Sequence, residues 1–368
     1  MKIGFDAKRL FHNNSGLGNY SRDLVRILSE FFPENDYYLF AKKKSDKANK
    51  LLSRKNVFFK KISNGIFSRQ TKMGLDAQNH NCDIFHGLSG EIPIKWNKDK
   101  NIKKIVTIHD LIFLKYPQFY SFFDRKIHTW KAKRATKKAD IIIAISQQTK
   151  KDIIEYFNVS EKKIRVVYQT CNDNFKKTYS EEELQRTSKK FNLPNQFILN
   201  VGTIEERKNL LSVVKAIKGT EIPLVVIGKE TKYSQKIKRF ISENNMQKQV
   251  YFLQNVDITE LAHIYRLAKI FVYPSLYEGF GIPIIEAIFS KTPVITSNLS
   301  CLPEAGGNHS VYVNPIDIED IQTKILNLWE NPKQITHITE KSLEFVKKFN
   351  EDKIAKELIE IYSITNPK

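Results

Sequence analysis

Two glutamates, Glu278 and Glu286, flank seven residues in the stretch YPSLYEGFGIPIIEA, residues 273–287. Between them lie Gly279, Phe280 and Gly281, a turn in which backbone can come close to a ligand. Pro283 follows, and proline suits the first turn of a helix because its missing N–H would have no helical partner there. The spacing predicts Glu278 on a loop and Glu286 on the helix after it. Backbone N–H groups at such a turn favour an anion. A carboxylate on either side suits a ligand with hydroxyls at both ends and phosphate in the middle, which is the constitution of a sugar nucleotide. Spacing alone would also fit two glutamates on a solvated helix. The preceding strand, the glycine turn and the proline favour a site.

A second loop carries cations. Residues 202–209, GTIEERKN, follow an apolar run and lead into a helical pattern. Arg207 and Lys208, next to a helix start, make a diphosphate site. A departing nucleoside diphosphate gains negative charge as its bond to the sugar breaks, so fixed cations favour the transition state over the ground state. A solvated Arg-Lys pair is the alternative. Near the N-terminus, Ser15-Gly16-Leu17-Gly18 opens another helix, and Gly16 and Gly18 would let backbone approach a ligand or make a plain tight turn. His109, with Asp110 after it, ends the strand pattern KKIVTIH and would face a cleft at the strand's carboxyl end, able to donate to a sugar hydroxyl or a developing oxyanion. A structural histidine is the alternative. His86 ends an earlier strand in a similar way.

The elements that must position these residues alternate between short apolar runs and helical patterns, the signature of parallel α/β structure. Strands are expected at 2–6, 37–40, 57–59, 83–86, 104–109, 141–145 and 165–168. Helices are expected over 19–32 and 147–157, the latter capped by Ser146. Residues 169–180 read as a linker. A second α/β series follows, with strands at 197–201, 224–227, 250–252, 270–273 and 294–296 and helices at 210–218 and 258–267. The C-terminus reads as helical over 317–329 and 339–362. The expected fold class is α/β, two Rossmann-like doubly wound domains facing across a cleft, with ligands outside the carboxyl ends of the strands.

Composition narrows the partners. The 368 residues are 41% apolar, enough for two cores, and no apolar run reaches membrane-span length. The first residues, MKIGFDAKRL, lack a signal-peptide core. Cys82, Cys171 and Cys301 are scattered, giving neither a disulfide framework nor a zinc pattern and fitting a reducing cytosol. Charge is uneven: residues 1–170 hold 34 Lys or Arg against 16 Asp or Glu, and residues 171–368 hold 26 against 24. Such asymmetry suggests that the first half meets an anionic surface: nucleic acid, anionic lipid headgroups or a phosphorylated lipid carrier. No RNP, zinc-finger or helix-turn-helix pattern supports nucleic acid as the partner. No Asp-x-Asp pair, metal-spaced His/Cys cluster, nucleophile elbow or P-loop is present, so neither a metal nor another cofactor is expected.

Taken together, SGLGNYSRDL, FHGLSGEIPI, VTIHDLIFLKYPQFY, AISQQTKKDII, NVGTIEERKNLLSVVKAI, YPSLYEGFGIPIIEA and TPVITSNLSCLPEAGG resemble the retaining glycosyltransferases of family 4, which have the GT-B fold. The resemblance covers most of the chain. It implies an acceptor-side domain over residues 1–170, a nucleotide-sugar domain over 171–345, and a C-terminal helix over 346–368 packing back on the first domain. Glu286 would bind the nucleotide ribose and Glu278 the donor sugar, with Gly279, Phe280 and Gly281 lending backbone contacts. Arg207 and Lys208 would hold the diphosphate, His109 would lie beside the transferred sugar, and Gly16 and Gly18 would approach the phosphates or the acceptor. No metal is needed. The resemblance further implies a hexose donor, GDP-mannose by similarity to bacterial mannosyl- and rhamnosyltransferases. It points to a lipid-linked or oligosaccharide acceptor in surface polysaccharide or lipopolysaccharide synthesis, and a cytoplasmic protein held at the inner face of an anionic membrane. Thr203 stands where some members carry a basic residue, and Thr170-Cys171 where a glycine is common. A nucleotide-sugar epimerase or another GT-B enzyme is the alternative within the fold, and a basic nucleic-acid-binding protein the alternative outside it.

Overall fold

The computed structural model describes residues 1–13, 16–65 and 67–364. The chain divides into two units, one made of Met1–Gln169 with Asn350–Lys368 and the other of Thr170–Phe349.

The first unit is built on seven parallel strands, β1 (Lys2–Asp6), β2 (Asp36–Ala41), β3 (Val57–Lys61), β4 (Ile84–Gly87), β5 (Lys103–Ile108), β6 (Ile141–Ala144) and β7 (Ile164–Val166), in the order β3-β2-β1-β4-β5-β6-β7. The order reverses direction between β1 and β4. β4 and β6 are buried along their whole length, as sheets covered on both faces require. The closing helix Glu351–Ser363 belongs to this unit. It sets Ile354, Leu358, Ile361 and Tyr362 into the same core as Ile3, Phe5 and Leu24, and Arg26 Nη1 lies 3.0 Å from Glu351 Oε2.

The second unit repeats the plan with β8 (Ile198–Val201), β9 (Leu224–Ile227), β10 (Val250–Leu253), β11 (Ile270–Tyr273), β12 (Val294–Ser297) and β13 (Val311–Val313), ordered β10-β9-β8-β11-β12-β13 and all parallel. Its reversal falls between β8 and β11. The ends of the twelve expected strands fall within a residue or two of the sequence expectations, because β-branched runs bounded by polar turns leave little freedom of register; β13 lies where no strand was expected. Ser146 Oγ accepts from Thr149 N, so the expected cap of the Gln147–Phe157 helix is present.

Four helix expectations are corrected. The first long helix is Gly16–Phe31, so Gly16 and Gly18 lie within its first turn; Asn14 and Ser15 lie outside the described residues. A helix of 17 residues, Phe122–Lys138, occupies a stretch in which no element was expected. It buries Ala132, Ala135 and Thr136 and keeps its large apolar side chains outside; they stop at Trp130, so the second half of the helix carries no large-apolar period to announce it. Directly after the expected linker, residues 169–180, comes a helix where none was expected, Glu181–Phe191, its start capped by a capping box between Ser180 and Glu183. The continuous C-terminal helix is instead Pro332–Val346 and Glu351–Ser363, broken where Asn350 is extended.

Candidate active site

Topology brings the two chemically loaded loops of the second unit together. β8 and β11 are neighbours at the point where strand order reverses, and a crevice opens there because successive connections leave in opposite directions. Residues 202–209 leave the carboxyl end of β8, and residues 274–281 leave the carboxyl end of β11. Leu276 N donates to the Arg207 carbonyl at 2.8 Å, and Asn209 Nδ2 donates to the carbonyls of Pro274 at 3.1 Å and Pro315 at 2.7 Å. The Asn209 backbone is left-handed, with φ 58°. Gly202 passes so close to Gly228 that a β-carbon on Gly228 would sit 1.8 Å from the Gly202 carbonyl oxygen.

These contacts gather Arg207, Lys208 and Glu278. Glu278 is buried on its loop. Arg207 Nη1 lies 2.7 Å from its Oε2, and Lys208 Nζ lies 2.6 Å from its Oε1. The same Oε1 accepts from Tyr273 Oη at 2.8 Å and Ser275 Oγ at 2.7 Å. Burial opposes ionisation of Glu278, but Lys208 and Arg207 outweigh it and bring its carboxyl down to about 2. Burial likewise works against the Arg207 charge, and Glu278 and Glu205 more than restore it. Arg207 and Lys208 are therefore not a solvated surface pair. They are two mostly buried cations held side by side by one carboxylate.

The rest of the expected turn divides its labour. Gly281 has φ +116°, a conformation that asks for glycine, and the helix Ile282–Phe289 begins after it with Pro283 in its first turn. Phe280 is buried and packs edge-on against Phe349, with ring centroids 5.3 Å apart. Cys301 Sγ lies 3.1 Å from the Glu278 carbonyl and 3.0 Å from that of Phe280, and Ser300 Oγ donates to the Glu278 carbonyl at 3.0 Å. Glu286 sits on the helix as expected, half-buried, where its Oε2 accepts from Tyr265 Oη at 3.2 Å.

His109, in the first unit, follows the carboxyl end of β5. Burial pulls its imidazole down to about 4, so the ring is neutral near pH 7. Nε2 lies 2.9 Å from the Leu88 carbonyl, which only accepts, so the ring proton resides there. Nδ1 is then an acceptor, 3.5 Å from Gln169 Nε2. In this geometry the ring proton is committed to the main chain, and Nδ1 presents a lone pair. Tyr20 stands edge-on to the ring at 4.6 Å. His86 is a core residue, fully buried within β4, with Nδ1 2.7 Å from Tyr362 Oη and Nε2 2.8 Å from Thr107 Oγ1. Gly18 is demanded by the chain itself, since a β-carbon there would meet the Asn13 carbonyl oxygen at 2.1 Å, whereas Gly16 has open space around it.

Residues 15–174 match the family profile Glycosyltransferase Family 4, and residues 181–361 match Glycosyl transferases group 1. The chain belongs to the family 4 glycosyltransferases. It is similar to the O-antigen chain mannosyltransferase RfbU of Salmonella typhimurium, 30% identical over 233 residues that make up 63% of this chain and 62% of that protein. It is 23% identical to the O-antigen chain mannosyltransferase B of Escherichia coli, over 99% of this chain and all of that one. The match to the serotype-specific mannosyltransferase WbdA of Escherichia coli, 30% identical, takes in 60% of this chain and 28% of that protein. The matches to RfbU and WbdA thus span less than two thirds of those relatives. Among solved structures, Anabaena HepE in complex with UDP and glucose superposes with a TM-score of 0.76 at 15% identity over 99% of both chains. WaaG, a glycosyltransferase involved in lipopolysaccharide biosynthesis, superposes at 0.71 and 14% identity, over 99% of this chain and all of that one. The fold is GT-B, as the sequence resemblance implied.

Within this family 4 chain, the polar residues that tie Glu278 down were not anticipated. Tyr273 and Ser275 sit two residues apart where β11 ends, so they point to one side, and that alternation was the available signal. A second buried charge group was also missed. Arg69 Nε donates to Asp6 Oδ2 at 2.8 Å and its Nη1 to Glu91 Oε2 at 2.9 Å, while Lys131 Nζ reaches Glu91 Oε1 at 3.1 Å. Asp6 ends β1, so this group lies at the strand-order reversal of the first unit. Its members come from four separate segments, and no local spacing announces them. Among the described residues, no three or more His, Cys, Asp or Glu side chains gather as a metal would need, and no helix is long and apolar enough to cross a membrane.

Proposed function

We propose that this protein is a retaining hexosyltransferase that moves mannose from GDP-mannose to a lipid-linked or oligosaccharide acceptor in bacterial surface polysaccharide synthesis. The observation that carries the reading is the Arg207–Lys208–Glu278 cluster at the strand-order reversal of the second unit. Two preorganised cations at that point match the charge that a leaving nucleoside diphosphate develops. Support for mannose comes from the O-antigen mannosyltransferase relatives, and support for a nucleotide-sugar donor from the UDP-bound fold neighbour.

In this proposal the anomeric bond loosens, Arg207 and Lys208 hold the departing diphosphate, and that phosphate takes the proton of the acceptor hydroxyl entering on the same face. Glu286 binds the ribose hydroxyls, Glu278 contacts the donor sugar, and His109 lies beside the transferred sugar. Gly279, Phe280 and Gly281 lend backbone contacts, and Gly16 and Gly18 lie toward the phosphates or the acceptor. The two cations do the charge neutralisation, so no metal or other cofactor is invoked and EDTA leaves transfer unchanged. The basic first half, with 34 cations against 16 acids in residues 1–170, holds the protein at the anionic inner face of a membrane where a lipid-linked acceptor resides.

The test is a thermal-shift screen with GDP, UDP, dTDP, ADP and their sugar conjugates. A folded state that binds a nucleotide gains stability with the logarithm of ligand over dissociation constant. GDP and GDP-mannose should raise the melting temperature, and Glu286→Ala should abolish the shift. A response to UDP in place of GDP overturns the donor assignment. No response to any nucleotide at millimolar concentration overturns the sugar-nucleotide site.

A further inference from the structure

The helix Phe122–Lys138 is packed the wrong way round for a helix surrounded by water. Ser121 caps its start, with Oγ accepting from Asp124 N, and the small side chains Ala132, Ala135 and Thr136 face the protein. The large apolar ones face out: Phe122 is 53% exposed, Phe123 76%, Ile127 51% and Trp130 58%. Phe123, Ile127 and Trp130 are four and three residues apart, which places them in one stripe. Exposed apolar side chains scattered singly are ordinary, but four within nine residues of one helix form a contiguous patch that marks a contact surface.

The charge of the helix says what it contacts. Phe122–Lys138 contains seven Lys or Arg and one acid, Asp124. Continuing the stripe at helical spacing leads from Trp130 to the exposed Lys133 and Lys137, while Arg134 turns to the carbonyls of Ile92 and Pro93, and Lys126 Nζ lies 4.5 Å from the centre of the Phe122 ring. The exposed face is thus aromatic toward its N-terminal end and cationic along the rest. Aromatic rings and aliphatic lysine stems settle at the boundary between headgroups and acyl chains, while the ammonium groups reach anionic headgroups. A soluble acidic protein partner would account for the cations and would not call for Phe123 and Trp130 in water in its absence.

We propose that the outer face of Phe122–Lys138 is the surface by which this protein docks on an anionic lipid bilayer, lying in the plane of the interface with Phe123, Ile127 and Trp130 inserted. The proposal rests on the membrane-face reading given above and deepens it by naming the element.

The test is co-sedimentation of the full chain with phosphatidylglycerol-containing and pure phosphatidylcholine vesicles. Tryptophan emission is followed in parallel. Wild type should pellet with the anionic vesicles, less so at high salt, with a blue shift. Phe123→Gln/Ile127→Gln/Trp130→Gln keeps helix propensity and should bind about tenfold more weakly while its melting temperature is unchanged. Trp130→Phe should still pellet yet lose the blue shift, since Trp96 packs on Phe85 and Trp329 lies beneath Lys269. Undiminished pelleting of the triple variant overturns the docking surface and leaves the membrane reading standing. A wild-type chain that stays in the supernatant overturns both. A wild-type dimer that the triple substitution dissolves, with vesicle binding unchanged, assigns the stripe to self-association instead.

Discussion

Lys208 Nζ lies 2.6 Å from Glu278 Oε1 across 70 residues of chain. The pairing follows from sheet order. The two residues leave adjacent strands, β8 and β11, at the one place in the second unit where successive connections diverge. With Arg207 on the other carboxylate oxygen, Glu278 keeps two like charges close together in a poorly solvated place. It therefore has an electrostatic duty before any ligand arrives. A bound diphosphate would compete with Glu278 for both cations, and with Glu205 for Arg207.

The first prediction concerns that duty. Glu278 has its carboxyl depressed to about 2 from an ordinary 4.5, so its contribution to stability is complete above pH 4.5 and is lost as pH falls toward 2. Glu278→Ala leaves the mostly buried Lys208 without its carboxylate and Arg207 with Glu205 alone, and should cost about 3 kcal/mol in urea unfolding at pH 7. Glu278→Gln retains hydrogen-bond acceptance and should cost less. Both should lower transfer by orders of magnitude, with Glu278→Gln doing so in a well-folded protein. Near-full turnover by Glu278→Gln would remove Glu278 from the site.

Much of this was legible in the chain and part was not, for definite reasons. Parallel strands buried on both faces announce themselves as β-branched runs, so β8, β9 and β11 and the loops leaving them could be placed, and with them Arg207, Lys208 and Glu278. Their mutual ion pairing could not be placed, since it depends on which strands are neighbours and no local pattern encodes that. His109 was located correctly at a strand end, but its proton is claimed by the Leu88 carbonyl, a main-chain partner that side-chain types do not reveal. The Phe122–Lys138 helix escaped because its large apolar residues end at Trp130 and the residues it buries, Ala132, Ala135 and Thr136, are too small to mark a core face.

A second prediction tests how the cation loop is held. A β-carbon on Gly228 would meet the Gly202 carbonyl oxygen, which is backbone and has little room to yield, since Gly202 N is already bonded to the Ile227 carbonyl at 2.9 Å. Gly228→Ala should push the 202–209 loop off its neighbours, costing roughly 1–3 kcal/mol and raising the donor KM. Gly16→Ala, with open space at that position, should melt like wild type. Calorimetry and donor titrations on the two variants side by side decide the matter, and equal melting temperatures would discount the close approach.

The buried His86 sets a pH dependence of its own. Burial, with His109 nearby, brings its imidazole down to about 3 from 6.5. Above pH 6.5 folded and unfolded chains both carry it neutral. As pH falls below 6.5 the unfolded chain takes up a proton that folded His86 refuses, so stability declines toward pH 3, by about 1.4 kcal/mol per pH unit for this group. His86→Gln removes the titration and should flatten the slope between pH 6 and 4 by one proton's worth, even though losing contacts to Tyr362 and Thr107 lowers stability at pH 7. Urea midpoints across that range read both effects. An unchanged slope would mean that His86 is protonated in the folded state.

The last prediction separates binding from chemistry at the other glutamate. Tyr265 is fully buried, edge-on to Phe175 and tilted against Phe271, and donates its hydroxyl to Glu286 at 3.2 Å. Tyr265→Phe removes that hydroxyl and keeps the ring, so the contact it deletes is the one to Glu286. If Glu286 grips the ribose, its contact is the same in ground and transition states, and loosening it raises the donor KM several-fold with kcat unchanged. Lys208→Met acts on charge that grows as the bond breaks, so it should lower kcat itself, by at least tenfold. Steady-state kinetics with GDP-mannose distinguish the two. A fall in kcat for Tyr265→Phe at constant KM would move Glu286 from nucleotide binding to the chemical step.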